Sequence, residues 1–234
     1  MTLTPALLQQ WHAYLAEEAT GVRAHALHLL DAFIAELLAS PPDHWHPWAI
    51  TVSQDIVDHQ RPIPVRLPLF RAILFPALHR DLLAGSGFAA RALASFTQFL
   101  VHSPQCRQQL PEGLRARDAL LREAVRRHPS DLAAKRQLRD LHRRGFAFSL
   151  HELPAGVLYH QHGATAAECD QLLADLDEYA RLCAELGRTP EDAALIAEAA
   201  HHIPAYADYL RHRDRYPSFA HYLEQHPFRQ CGRS

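Results

Sequence analysis

ECDQLLADLDEYARLCAEL, residues 168–186, decides the fold class. Its apolar side chains recur at three- and four-residue intervals, at Leu172, Leu173, Leu176, Tyr179, Cys183 and Leu186. At about 3.6 residues per helical turn these positions line one side of a helix. Asp170, Asp177, Glu178, Arg181 and Glu185 take the other side, where charge stays hydrated. A half-buried strand would need strict alternation, which is absent here. Thr165, with Glu168 three residues on, carries the capping-box signature and sets the helix start.

The same period runs outward through the chain. In GVRAHALHLLDAFIAELLAS (21–40), Val22, Leu27, Leu30, Phe33, Ile34, Leu37 and Leu38 form one broad face, with His25, His28 and Asp31 opposite. Thr4-Pro5, Ser103-Pro104 and Thr189-Pro190 each place a capping hydroxyl before a first-turn proline. Strand signals reduce to ITV (50–52) and IPVRLPLF (63–70). Pro62, Pro64 and Pro68 make the second a poor ladder member. Helices are expected over 5–19, 21–39, 53–60, 68–84, 87–102, 112–128, 131–151, 166–187, 190–214 and 217–226, with a kink or break at Pro76 and Pro204. SPPDHWHPWAI (40–50) and HQRPIPVRLP (59–68) read as irregular. The expected fold is all-α, an irregular multi-helix bundle or a short solenoid of helical hairpins with about ten helices. Residues 1–234 read as a single all-helical domain, with a sub-boundary available in the Pro-rich stretch 40–68.

EAVRRHPSDLAAKRQL (123–138) resembles the joint between consecutive tetratricopeptide repeats, at Ala124, Pro129, Asp131, Ala134 and Leu138. No second copy follows at the 34-residue period of that family. The segment is therefore read as an ordinary helix–turn–helix joint.

Composition narrows the function classes. Hydrophobic content of 48% and charged content of 21% are those of a soluble globular protein. A net charge of −2 gives no bulk attraction to nucleic acid or to acidic membranes, so nucleic acid is disfavoured as a partner. No apolar run approaches the roughly 18 residues of a membrane span, and the first residues lack the basic start of a secretory signal. Cys106, Cys169, Cys183 and Cys231 are scattered, without a C-x-x-C pair, as suits a reducing cytosol. A cytoplasmic location is expected. Lys135 is the only lysine among the 24 basic residues. Arginine, alanine and leucine dominate instead, the signature of a GC-rich bacterial genome, and that bias also raises histidine.

HELPAGVLYHQHGATAAE (151–168) is the place to look for a metal. It opens His-Glu like the zincin H-E-x-x-H, but position 155 is Ala, and Pro154 disturbs the helix the motif needs. A metal-dependent helical-bundle enzyme is left with His151, Glu152, His160 and His162, brought together only if the segment folds back. The simpler reading is a joint between helices. Acid–histidine pairs at helical spacing, Glu198/His201 among them, occur about as often as composition alone produces, so no di-iron centre is inferred. GSGFAA (85–90) fits the loose dinucleotide-binding glycine pattern, but a helical stretch precedes it where a strand is required. No cofactor is expected.

Charge is the most informative feature left. Residues 107–144 carry eleven Arg or Lys against five acids, and 168–192 carry eight acids against Arg181 and Arg188. These segments either pair with each other or offer separate patches to partners. The expected function is non-catalytic protein binding, most concretely as a bacterial cytoplasmic immunity or inhibitor protein that neutralises a toxin. Asp170, Asp177, Glu178 and Glu185 would meet the basic cleft of that partner.

Overall fold

A computed structural model describes residues 3–152 and 165–226. Among them it contains helices, turns and coil but no strand. The fold is an all-α multi-helix bundle. Its contacts gather into two compact units, Met1–Asp131 and Leu132–Ser234. The Pro-rich stretch 40–68 lies within the first.

In the first unit, α1 (Pro5–Thr20) and α2 (Arg23–Leu38) form a hairpin. Thr4 caps α1 through its hydroxyl, which accepts from the Leu7 N–H at 3.3 Å. Gly21 closes it at φ 81°, a left-handed geometry that glycine adopts without steric cost. Next comes α3 (Pro42–Val57). The sequence reading left 40–50 irregular, and the structure corrects this: SPPDHWHPWAI enters a continuous helix with Pro47 inside it. Trp45, Trp48, Ala49 and Val52 are buried at helical spacing. Trp48 packs edge-on against Trp11 at 5.2 Å and Phe33 at 5.3 Å. Burying two indoles outweighs the one backbone hydrogen bond that Pro47 forfeits.

Residues 58–66 form a non-helical strap that begins with a turn, with Gln60 at φ 50°. The Tyr14 hydroxyl donates to the Pro64 carbonyl at 2.7 Å, and the Arg66 guanidinium forks onto Glu18 at 2.7 and 2.5 Å. The chain then re-enters helix through α4 (Leu67–Leu69), a wider π-helical turn over Phe70–Leu74, and α5 (Phe75–Leu83). The break expected at Pro76 takes this form: the extra residue of the π-turn absorbs the missing N–H. Pro204, by contrast, stays inside an unbroken helix.

Gly85 at φ 97° and the Ser86 cap turn the chain into α6 (Gly87–Ser95), so GSGFAA joins two helices as expected. α7 (Thr97–Val101), α8 (Pro104–Gln109) and α9 (Arg117–Arg127) complete the unit. α6 is buried along nearly its whole length and meets α9 closely. A Cβ on Gly87 would lie 2.2 Å from His128 Cδ2 and 3.2 Å from the Ala124 carbonyl oxygen. Gly87→Ala is therefore expected to destabilise the protein by about 1–2 kcal/mol. Most of that loss should vanish in a His128→Ala background, leaving the carbonyl contact. Thermal melts of the single and double variants check it, and equal losses in both would refute the contact.

In the second unit, α10 (Leu132–Glu152), α11 (Ala166–Leu186) and α12 (Pro190–Arg211) pack as a three-helix bundle, and α13 (Phe219–Gln225) adds to α12. Lys135 faces Glu185 while His142 faces Glu178, so α10 and α11 run antiparallel. Their core joins Phe146, Leu172, Leu176, Tyr179, Ile203 and Tyr206. Both capping boxes form, Thr165 with Glu168 and Thr189 with Asp192.

Candidate functional site

The four acids singled out on α11 fall into two pairs. Asp170 and Asp177 point outward with the small Ala174 between them, and Asp170 is 64% exposed. Arg211 at the end of α12 stands 3.7 Å from Asp170. Glu178 and Glu185 lean toward α10. Glu178 takes a hydrogen bond from His142 Nε2 at 2.8 Å, and Glu185 pairs with Lys135 at 2.5 Å. At 100° per residue Glu178 sits about a quarter-turn from Asp170, enough to reach the neighbouring helix.

Behind Glu178 lies the most polar part of this unit's interior. The His142 ring is nearly parallel to Phe146 at 6.2 Å and approaches Tyr179 at 6.4 Å. The Tyr179 hydroxyl donates to Asp192 Oδ1 at 2.6 Å, and Asp192 is 1% exposed. Asp192 also accepts from the Thr189 N–H at 3.1 Å, and Arg143 Nε lies 4.0 Å from it. Burial pushes this carboxyl up, but Tyr179, Thr189 and Arg143 together leave it below its ordinary value. The Tyr179–Asp192 and His142–Glu178 bonds tie α11 to α12 and to α10, and the Thr189–Asp192 bonds cap α12.

The thiols follow the same logic. Burial raises Cys106 and Cys183 and pushes Cys169 up to about 11. A thiol held protonated is a poor nucleophile.

The metal alternative is only partly within view. His151 and Glu152 end α10, with His151 Nδ1 3.1 Å from Glu152 Oε1 and the imidazole 83% exposed. His160 and His162 lie outside the described residues. Among the described residues no three His, Cys, Asp or Glu side chains gather in a way that could hold a metal ion.

The basic segment is largely spent within its own units. In the first, Arg115 donates to the Leu110 and Gln108 carbonyls, Arg122 pairs with Asp118, and Arg126 and Arg127 both hold Glu123. Those two guanidiniums bring the Glu123 carboxyl down to about 2 despite its partial burial. In the second, Lys135 and Arg143 reach Glu185 and Asp192, so part of the 107–144 excess pairs with the 168–192 acids. Among the described residues no helix is long and apolar enough to cross a membrane.

Sequence reasoning missed two features. Arg91 is buried in α6, with Nε 2.9 Å from Asp131 and NH1 2.5 Å from Asp58. And Arg213–Arg215, where an expected helix 190–214 ends, form an exposed 3-10 turn beside an aromatic stack. The run RHRDRY (211–216) was the available signal for the second. Comparison with known proteins finds no matching family model, no matching curated protein and no matching solved structure.

Proposed function

We propose that the chain is a non-catalytic protein-binding module, most concretely a bacterial cytoplasmic immunity or inhibitor protein that blocks a toxin by covering a basic cleft. One observation carries the reading. α11 presents Asp170 and Asp177 outward on a helix fixed by its capping box and packed against α10 and α12. A rigid helix offering carboxylates loses little conformational freedom on docking, and opposite charge speeds encounter. Glu178 and Glu185 contribute secondarily, since a cationic partner must first draw them from His142 and Lys135.

The test is charge reversal. Asp170→Arg with Asp177→Arg should weaken the complex with a toxin encoded beside this chain's gene by about tenfold or more, chiefly through slower association at low salt. Calorimetry and stopped-flow binding measure it. An unchanged affinity would remove this face from the interface.

A further inference from the structure

The total charge of −2 hides an uneven distribution. Residues 211–234 hold five arginines against Asp214 and Glu224. The structure gives three of those arginines a setting. Arg211 ends α12 and reaches toward Asp170, while Arg213 and Arg215 are exposed on the 3-10 turn that follows. Among the described residues no carboxylate pairs with Arg213 or Arg215, and no residue outside them has a carboxylate side chain. Two guanidiniums are thus available here, whereas most of those in 107–144 are committed.

Beside them stands a ladder of rings. Tyr216 meets Tyr222 edge-on at 5.1 Å, and His226 stacks on Tyr222 at 4.3 Å with an interplanar angle of 14°. Tyr222 is anchored by its hydroxyl, which donates to Asp208 at 2.7 Å. His226 is exposed although its ring stacks on Tyr222 and meets Tyr216 edge-on at 5.7 Å. Its Nδ1 lies 3.0 Å from the Tyr222 carbonyl. A carbonyl only accepts, so Nδ1 carries the proton and Nε2 of the neutral ring is left as an acceptor. Tyr222 and His212 hold Asp208, and His221 stands 3.5 Å from Glu224, so these two carboxylates and Asp214 are the local opposing charges, against Arg211, Arg213 and Arg215 and the two further arginines of the last residues.

Guanidiniums that take phosphates, next to a fixed and exposed ring, are the two parts of a single-strand binding surface. We propose that the Arg213–Arg215 turn and the Tyr216–Tyr222–His226 stack bind single-stranded nucleic acid, with the arginines on the backbone and His226 under a base. An exposed ring held in place by two others favours this ligand over a bare polyanion, which has nothing to stack.

Fluorescence anisotropy of the full chain with a labelled oligothymidylate of about 12 nucleotides tests it. Saturable binding is expected, weakening about tenfold between roughly 50 and 200 mM salt as two phosphate contacts are screened. Arg213→Glu with Arg215→Glu should weaken it at least tenfold. His226→Ala should cost about five- to tenfold for oligothymidylate and leave an abasic strand of the same length unaffected. No binding at the lower salt would overturn the proposal, as would an unchanged affinity in the double arginine variant. An equal effect of His226→Ala on both strands would also defeat it. So would binding to phosphatidylglycerol vesicles alone, which would assign the surface to an anionic membrane.

Discussion

Arg91→Met is expected to lower the stability of the first unit by about 2–3 kcal/mol, less than the roughly 3–5 kcal/mol for a fully buried ion pair because both partner acids keep some water. The guanidinium is buried, and it links Asp58, at the start of the strap, to Asp131, at the end of the unit. Methionine fills similar volume but leaves Asp131, 18% exposed, and Asp58, 32% exposed, without their shared cation. Arg91→Lys keeps the charge and loses the fork, so it should fall between wild type and Arg91→Met. Urea unfolding followed by a probe within this unit, such as its tryptophans, measures the shift in midpoint. A loss below about 1 kcal/mol for Arg91→Met would mean that water already screens the two acids.

The second large effect is expected at Asp192. Asp192→Ala should cost about 2–4 kcal/mol, combining a lost helix cap with a buried Tyr179 hydroxyl left without an acceptor. Tyr179→Phe removes that orphan, so adding Asp192→Ala to it should cost less than Asp192→Ala does alone. The acid side of the stability profile gives a second reading of the same pair. The folded carboxyl lies below its ordinary value, so its contribution is complete above the unfolded range near pH 4 and is lost as pH falls through the folded value. Tyr179→Phe should shrink that acid-dependent loss. Urea midpoints of wild type and Tyr179→Phe between about pH 7 and pH 3 check it, and superimposable profiles would rule out the Tyr179 bond as the cause.

Residues 166–186 show what periodicity could deliver. Leu172, Leu176, Tyr179 and Cys183 are buried where the pattern placed them, because their spacing leaves one side for the core. α3 shows where local rules mislead. Three prolines and two histidines in SPPDHWHP look like coil, and only the partners of Trp45 and Trp48 in the folded chain make helix the better outcome. Arg91 was illegible for a related reason: FAARALAS has the look of an ordinary alanine helix, and its acids stand 33 and 40 residues away. The candidate site was half legible. A helical wheel puts all four acids on the polar side of α11, but it cannot say which edge the next helix will take. α10 took the edge carrying Glu178 and Glu185.

The bridge between Lys135 and Glu185 has a practical corollary. Lys135 carries the only lysine amine in the chain, and its side chain is just 16% exposed. An acylating reagent therefore has a single lysine to modify, and that amine must leave its carboxylate before it can react. The rate of acylation at Lys135 becomes a clock for opening of that ion pair, read from one peptide by mass spectrometry without any engineered label.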